Sequence, residues 1–99
     1  MAVKHTQETD RLMEALLCLR TPEEAYQLFE DLCTVKEIQD MAQRLEIAFL
    51  LKQGTKYQDV ADRTGVSSAT ISRVNRCLQY GAGGYQLITE RLGAEGDKE

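Results

Sequence analysis

Thr55-Lys-Tyr-Gln-Asp-Val-Ala-Asp-Arg-Thr-Gly-Val-Ser-Ser-Ala-Thr-Ile-Ser-Arg-Val74 is the stretch on which the fold turns. Two short helices that cross steeply, as in a helix-turn-helix, make demands on particular positions. The first helix needs a small residue where the second crosses it, and Ala61 stands there. Four residues on, the turn favours a residue at ease with positive φ, and that residue is Gly65. Val60, Val66, Ile71 and Val74 fall where apolar side chains must lock the two helices together. The spacing Ala61-x3-Gly65-Val66-x4-Ile71-x2-Val74 meets every demand at once.

The second of these helices then has an outward face made of Ser68, Ala69, Thr70, Ser72, Arg73 and Arg76. Small residues at its start allow close approach to base edges, and hydroxyls and backbone N–H groups at a helix N-terminus, Ser67 included, suit phosphate oxygens. Arg73 has the donors for guanine O6/N7 or for a phosphate, and the methyl of Thr70 can meet a thymine methyl. Lys52, Thr55 and Lys56 flank the first short helix, where backbone-positioning groups are useful. These ten residues, Lys52, Thr55, Lys56, Ser67, Ser68, Ala69, Thr70, Ser72, Arg73 and Arg76, are the candidate contacts to double-stranded DNA.

The charge distribution agrees. The 99-residue chain carries a net charge of −4, which is wrong for a nucleic-acid binder until it is divided. Residues 1–51 hold five basic and ten acidic side chains, a balance of −5. Residues 52–80 hold Lys52, Lys56, Arg63, Arg73 and Arg76 against Asp59 and Asp62, a balance of +3. Residues 81–99 return to −2, with Arg91 and Lys98 against Glu90, Glu95, Asp97 and Glu99. Attraction to phosphate depends on the local face more than on the total.

Outward from this segment the sequence reads as all-α. Thr21-Pro22-Glu23-Glu24 is a helix start, with Thr as N-cap, Pro at the first helical position and Glu at the third for a capping box. It opens a helix ending near Cys33, and another helix is expected before it, from about Gln7 to Leu19. Thr34-Val35-Lys36-Glu37 repeats the capping logic and opens the longest helix, about 35–53, which Gly54 stops. Its apolar stripe is Ile38, Met41, Ala42, Leu45, Ala48 and Phe49, with Ile47, Leu50 and Leu51 on the other side. A helix apolar all round must be buried all round, and a second copy of the chain is a natural source of the missing wall. Thr55-Lys56-Tyr57-Gln58 is read as the cap of a helix to about Thr64, Ser67 as the cap of one to about Tyr80, and Tyr85, Leu87, Ile88 and Leu92 as a sixth. The organisation expected is one helical DNA-binding and dimerisation domain over 1–92, its helix-turn-helix at about 55–80, and a loose acidic tail over 93–99.

Other classes are excluded or weakened by what the chain lacks. No apolar run approaches the ~20 residues of a membrane span, and the start has no apolar signal core. Cys18, Cys33 and Cys77 form no Cys-x-x-Cys pair and the lone histidine is His5, so neither a zinc site nor a disulfide framework is expected. Gly81-Ala-Gly-Gly84 lacks the lysine and the preceding strand of a nucleotide loop and reads as a helix stop. Glu23-Glu24 is a helix-start feature, since the dipole favours carboxylates there. No enzyme, no cofactor, no metal and no membrane partner is expected, and the compartment expected is the cytoplasm.

At these residues the chain resembles the Trp repressor superfamily, especially its YerC/YecD-type TrpR-related members. The matching stretches are Asp31-Leu-Cys-Thr34, Leu50-Leu-Lys-Gln-Gly54 and Gly65 through Arg73 with Ala69-Thr-Ile-Ser-Arg, over about residues 10–92. Cys77-Leu-Gln-Tyr-Gly-Ala-Gly-Gly-Tyr85 is similar to those relatives more than to the repressor. The resemblance implies a six-helix Trp-repressor-like fold, an intertwined homodimer and two reading heads in successive major grooves, about 34 Å apart. It also implies a candidate effector pocket of Thr34, Arg44, Arg73, Val74 and Cys77. In the repressor two arginines sandwich the indole of the co-repressor; Arg44 and Arg73 match them, and Thr34 matches a threonine beside the ligand's amino group. Val74 stands where the repressor has a glycine and Cys77 where it has a serine, which disfavours tryptophan as the effector.

The function expected is therefore that of a homodimeric, sequence-specific DNA-binding transcriptional regulator, a repressor, with or without a small-molecule effector. The competing reading is a helical dimerisation or protein-interaction module that does not bind DNA. Steep loss of duplex affinity with rising salt separates the two.

Overall fold

The structure, a computed structural model, describes the backbone of residues 2–96 and the side chains of residues 2–93. Six helices follow one another, and no strand occurs among the described residues: α1 (Gln7–Leu17), α2 (Pro22–Leu32), α3 (Val35–Lys52), α4 (Tyr57–Thr64), α5 (Ser68–Tyr80) and α6 (Gly84–Gly96). The chain divides into two compact units, Met1–Gln39 and Asp40–Glu99, so that the single domain expected over 1–92 is described in two parts that share α3.

In the first unit each helix is started by a threonine. Thr6 and Thr9 cap α1 reciprocally: Thr9 N donates to Thr6 Oγ1 at 3.1 Å and Thr6 N to Thr9 Oγ1 at 2.8 Å. Thr21 accepts from Glu24 N at 3.1 Å, while the Glu24 carboxylate reaches one residue further back than a capping box requires, to Arg20 N at 2.9 Å. Thr34 and Glu37 close the expected box at the start of α3, with Glu37 N donating to Thr34 Oγ1 at 3.1 Å and Thr34 N to Glu37 Oε1 at 2.8 Å. The backbone N–H of Thr34, and secondarily its hydroxyl, hold the Glu37 carboxyl below the ordinary glutamate range. Neither α1 nor α2 contains a buried residue. Leu12, Met13, Tyr26 and Leu32 are exposed, and Leu17 is 87% exposed. Pro22, Ala25, Tyr26, Phe29 and Ile38 line an apolar groove of about 200 Å³.

The second unit holds the core. Ile47, Ala48 and Leu50 of α3 cluster with Val60 of α4 and with Ile71 and Val74 of α5, and Leu51, Ala61, Val66 and Tyr85 pack around them. Ile47, Val60, Ile71 and Val74 are the largest fully buried side chains, each worth roughly 1.5–3 kcal/mol of hydrophobic transfer. The stripe expected for α3 is only partly the buried one. Met41 and Ala42 are exposed, Leu45 and Phe49 half-buried, and the core side is Ile47, Ala48 and Leu50. Hydrophobic periodicity measures how apolar each side of a helix is, and the neighbours that pack against it choose between the sides.

α6 also departs from expectation. It continues to Gly96, so residues 93–96 of the expected tail are helical, and 97–99 lie outside the described residues. Once a helix is nucleated each added residue gains a hydrogen bond, and no proline stops this one at Gly93. Thr89, the buried polar residue of this unit, is satisfied by donating to the Tyr85 and Gln86 carbonyls at 2.7 and 3.2 Å.

Candidate nucleic-acid interface

α4, a three-residue turn and α5 form the helix-turn-helix read from the sequence. The turn begins at Gly65, in the left-handed region at φ 73°, with its N–H donating to Ala61 O at 2.8 Å. Three further bonds brace the corner. Thr64 Oγ1 donates to Val60 O at 2.7 Å and accepts from Val66 N at 3.4 Å. Gln43 Nε2 of α3 donates to Thr64 O at 3.2 Å, satisfying a carbonyl that the end of α4 leaves without a helical partner.

The start of α4 corrects the sequence reading. Its N-cap is Lys56, with no side-chain bond to the helix, and Thr55 serves as the last link of the α3 stop, donating its N–H to Leu50 O at 3.0 Å. Lysine offers no acceptor. Its ammonium stays exposed, as a cation for an anionic partner must. Ser67 does cap α5: its Oγ accepts from Thr70 N at 3.3 Å and lies 3.2 Å from Thr70 Oγ1. Those two hydroxyls are therefore engaged in holding the helix start, while Ser68 and Ala69 are exposed beside them.

α5 is sorted cleanly into two faces. Ile71, Val74 and Leu78 are buried. Ala69, Ser72, Arg73 and Arg76, spaced so that they share one side of a helix, line an open depression of about 350 Å³. Among the described residues neither arginine is engaged by a hydrogen bond or ion pair, so both guanidinium groups keep five donors for a partner. Lys52 ends α3 and is held through its ammonium by Gln86 of α6, at 2.6 Å. Gln86 was not among the candidate residues. No sequence signal marks it, because the two residues are 34 positions apart.

The candidate effector residues fall in different settings. Thr34 belongs to the first unit, where its hydroxyl caps α3. Arg44 and Cys77 are exposed, Arg73 lies on the outward face of α5, and Val74 is turned into the core at 1% exposure. Among the described residues no group of His, Cys, Asp and Glu could hold a metal ion, and no helix is long and apolar enough to cross a membrane.

A winding helix pair, cornered at a left-handed glycine and presenting hydroxyls and arginines on one side, defines the helix-turn-helix class. The Trp repressor protein family profile matches residues 7–93, and the chain belongs to this family, one of DNA-binding transcription regulators and not of enzymes. A Bacillus subtilis (strain 168) relative, the uncharacterized protein YerC, is 48% identical over 85 residues, covering 86% of this chain and 82% of its own. The crystal structure of a TrpR-like protein from Eubacterium eligens ATCC 27750 superposes with a TM-score of 0.85 at 50% identity, covering 89% of this chain and 91% of that one. A Staphylococcus aureus crystal structure also gives 0.85, at 46% identity, covering 90% and 89%.

Proposed function

We propose that the protein is a sequence-specific double-stranded DNA-binding repressor that works in the cytoplasm as a homodimer. The observation that carries this reading is the sorting of α5: Ile71, Val74 and Leu78 anchor it, while Ala69, Ser72, Arg73 and Arg76 face outward in a segment of local charge +3. In this reading Arg73 reads a base edge and Arg76, Lys52 and Lys56 meet phosphates. Thr55, Ser68 and Ser72 supply hydroxyl donors. Ser67 and Thr70 order the helix start that approaches the duplex, with the Thr70 methyl toward a base, and Ala69 allows close approach.

Pairing of two copies is supported by the first unit, whose helices α1 and α2 display Leu12, Met13, Leu17, Tyr26 and Leu32 without burying any residue. Large apolar side chains left exposed on two successive helices are the material of an interaction face. Control by tryptophan is not part of the proposal. Val74 fills core space at a position where the resemblance requires a glycine beside the ligand, and any effector of Thr34, Arg44, Arg73 and Cys77 would be a different molecule.

The test is capture of genomic duplex fragments by the purified protein, followed by affinity measurements on the recovered sequence across a salt series. Specific binding with a steep salt slope is expected. Arg73→Ala should cost about 1–3 kcal/mol and relax preference at one base position. Indifference to every duplex in dilute buffer would overturn the reading.

A further inference from the structure

Of the basic side chains in residues 52–80, Lys52 is the one that the described residues hold by a side-chain hydrogen bond. The holder, Gln86, uses both ends of its amide. Its Oε1 accepts from Lys52 Nζ at 2.6 Å, and its Nε2 donates to Leu78 O at 2.9 Å. Leu78 lies in the last turn of α5, which ends at Tyr80, so its carbonyl has no partner four residues on within the helix. The amide cannot be turned around, because reversal would set its oxygen against a carbonyl and its NH₂ against an ammonium. α6 thus fixes the position of a cation on α3 relative to the end of α5.

We propose that Gln86 is a positioning residue for DNA: it holds the Lys52 ammonium in place beside the last turn of α5, ready for a phosphate of the duplex. The inference rests on the DNA-binding reading above. An ammonium has three donors, and Gln86 takes one, leaving two for phosphate oxygens. The acceptor is neutral, so it orients the lysine without cancelling its charge, as a carboxylate at the same place would. A free lysine must give up rotamer freedom when it meets a phosphate, and one already held gives up less.

A double-mutant cycle tests this, with duplex affinity and its salt dependence as readouts and thermal melting recorded on every variant. Gln86→Met should weaken duplex binding about threefold to tenfold. Gln86→Glu should pair with Lys52 and lower the salt slope by about one phosphate contact. In a Lys52→Met background Gln86→Met should leave duplex affinity where Lys52→Met alone puts it. Any loss of stability from the Gln86–Leu78 bond appears in both backgrounds and cancels in the cycle. An equal effect of Gln86→Met with and without Lys52 would overturn the inference while leaving DNA binding intact. Absence of duplex binding by the unsubstituted protein would instead remove the reading on which it rests.

Discussion

The first unit, up to Gln39, and the second, from Asp40, are built from equally good helices and differ in what those helices bury. α1 and α2 have well-formed caps and strong amphipathic faces but no buried residue. α3 through α5 gather Ile47, Ala48, Leu50, Val60, Ile71 and Val74 into one cluster. Caps and periodicity make a helix; they do not supply the surface it packs against. Most helical stability in proteins comes from that packing. α3 through α5 bury a core of their own, while α1 and α2 keep Leu12, Met13, Leu17, Tyr26 and Leu32 exposed.

Four experiments break or sharpen this contrast. The largest effect is expected from Ile71→Ala, which empties a fully buried site on the inner face of α5. It should cost about 2–5 kcal/mol in urea unfolding, and a loss below about 1 kcal/mol would mean that the cluster does not hold the head together. Leu12→Asp probes the other region. On a lone chain a substitution at an exposed site stays within about 0.5 kcal/mol. Across a paired interface it should raise the dimer dissociation constant by about tenfold or more in sedimentation, because a carboxylate must be desolvated. An unchanged constant would sink the pairing through this face.

Gly65→Ala comes next. A Cβ at Gly65 would meet no atom within 4 Å, so the cost is confined to the left-handed backbone and should be about 1–2 kcal/mol. Loss of DNA binding should follow only as far as the corner opens. The smallest effect is expected at Glu37. Its folded-state pKa is lowered, so its contribution is fully present above the unfolded value and disappears as pH falls through the folded one. Acid titration of stability should therefore fall more steeply for the unsubstituted protein than for Glu37→Gln, and identical acid profiles would remove the carboxylate from the account of this cap.

Much of this was legible in the sequence because the constraints are short-range. Ala61, Gly65 and Ser67 act within a turn or two of themselves, and the structure finds each in the expected place. The start of α4 was misread at Thr55 because several residues in a row can serve as a cap, and the backbone geometry around the Gly54 turn selected Lys56, which has no capping oxygen. The buried side of α3 was ambiguous for another reason. Both of its sides are apolar, and only the arrival of Val60, Ile71 and Val74 decides that Ile47 and Leu50 face the core while Met41 stays exposed.

Sequence alone was therefore enough for the six helices, the left-handed corner at Gly65 and the two-sided character of α5, since each follows from neighbours within about one or two turns. Tertiary packing decided which wall of α3 is interior and the grip of Gln86 on Lys52. Those depend on groups brought together across dozens of residues, and a distance along the chain carries no record of a distance through space.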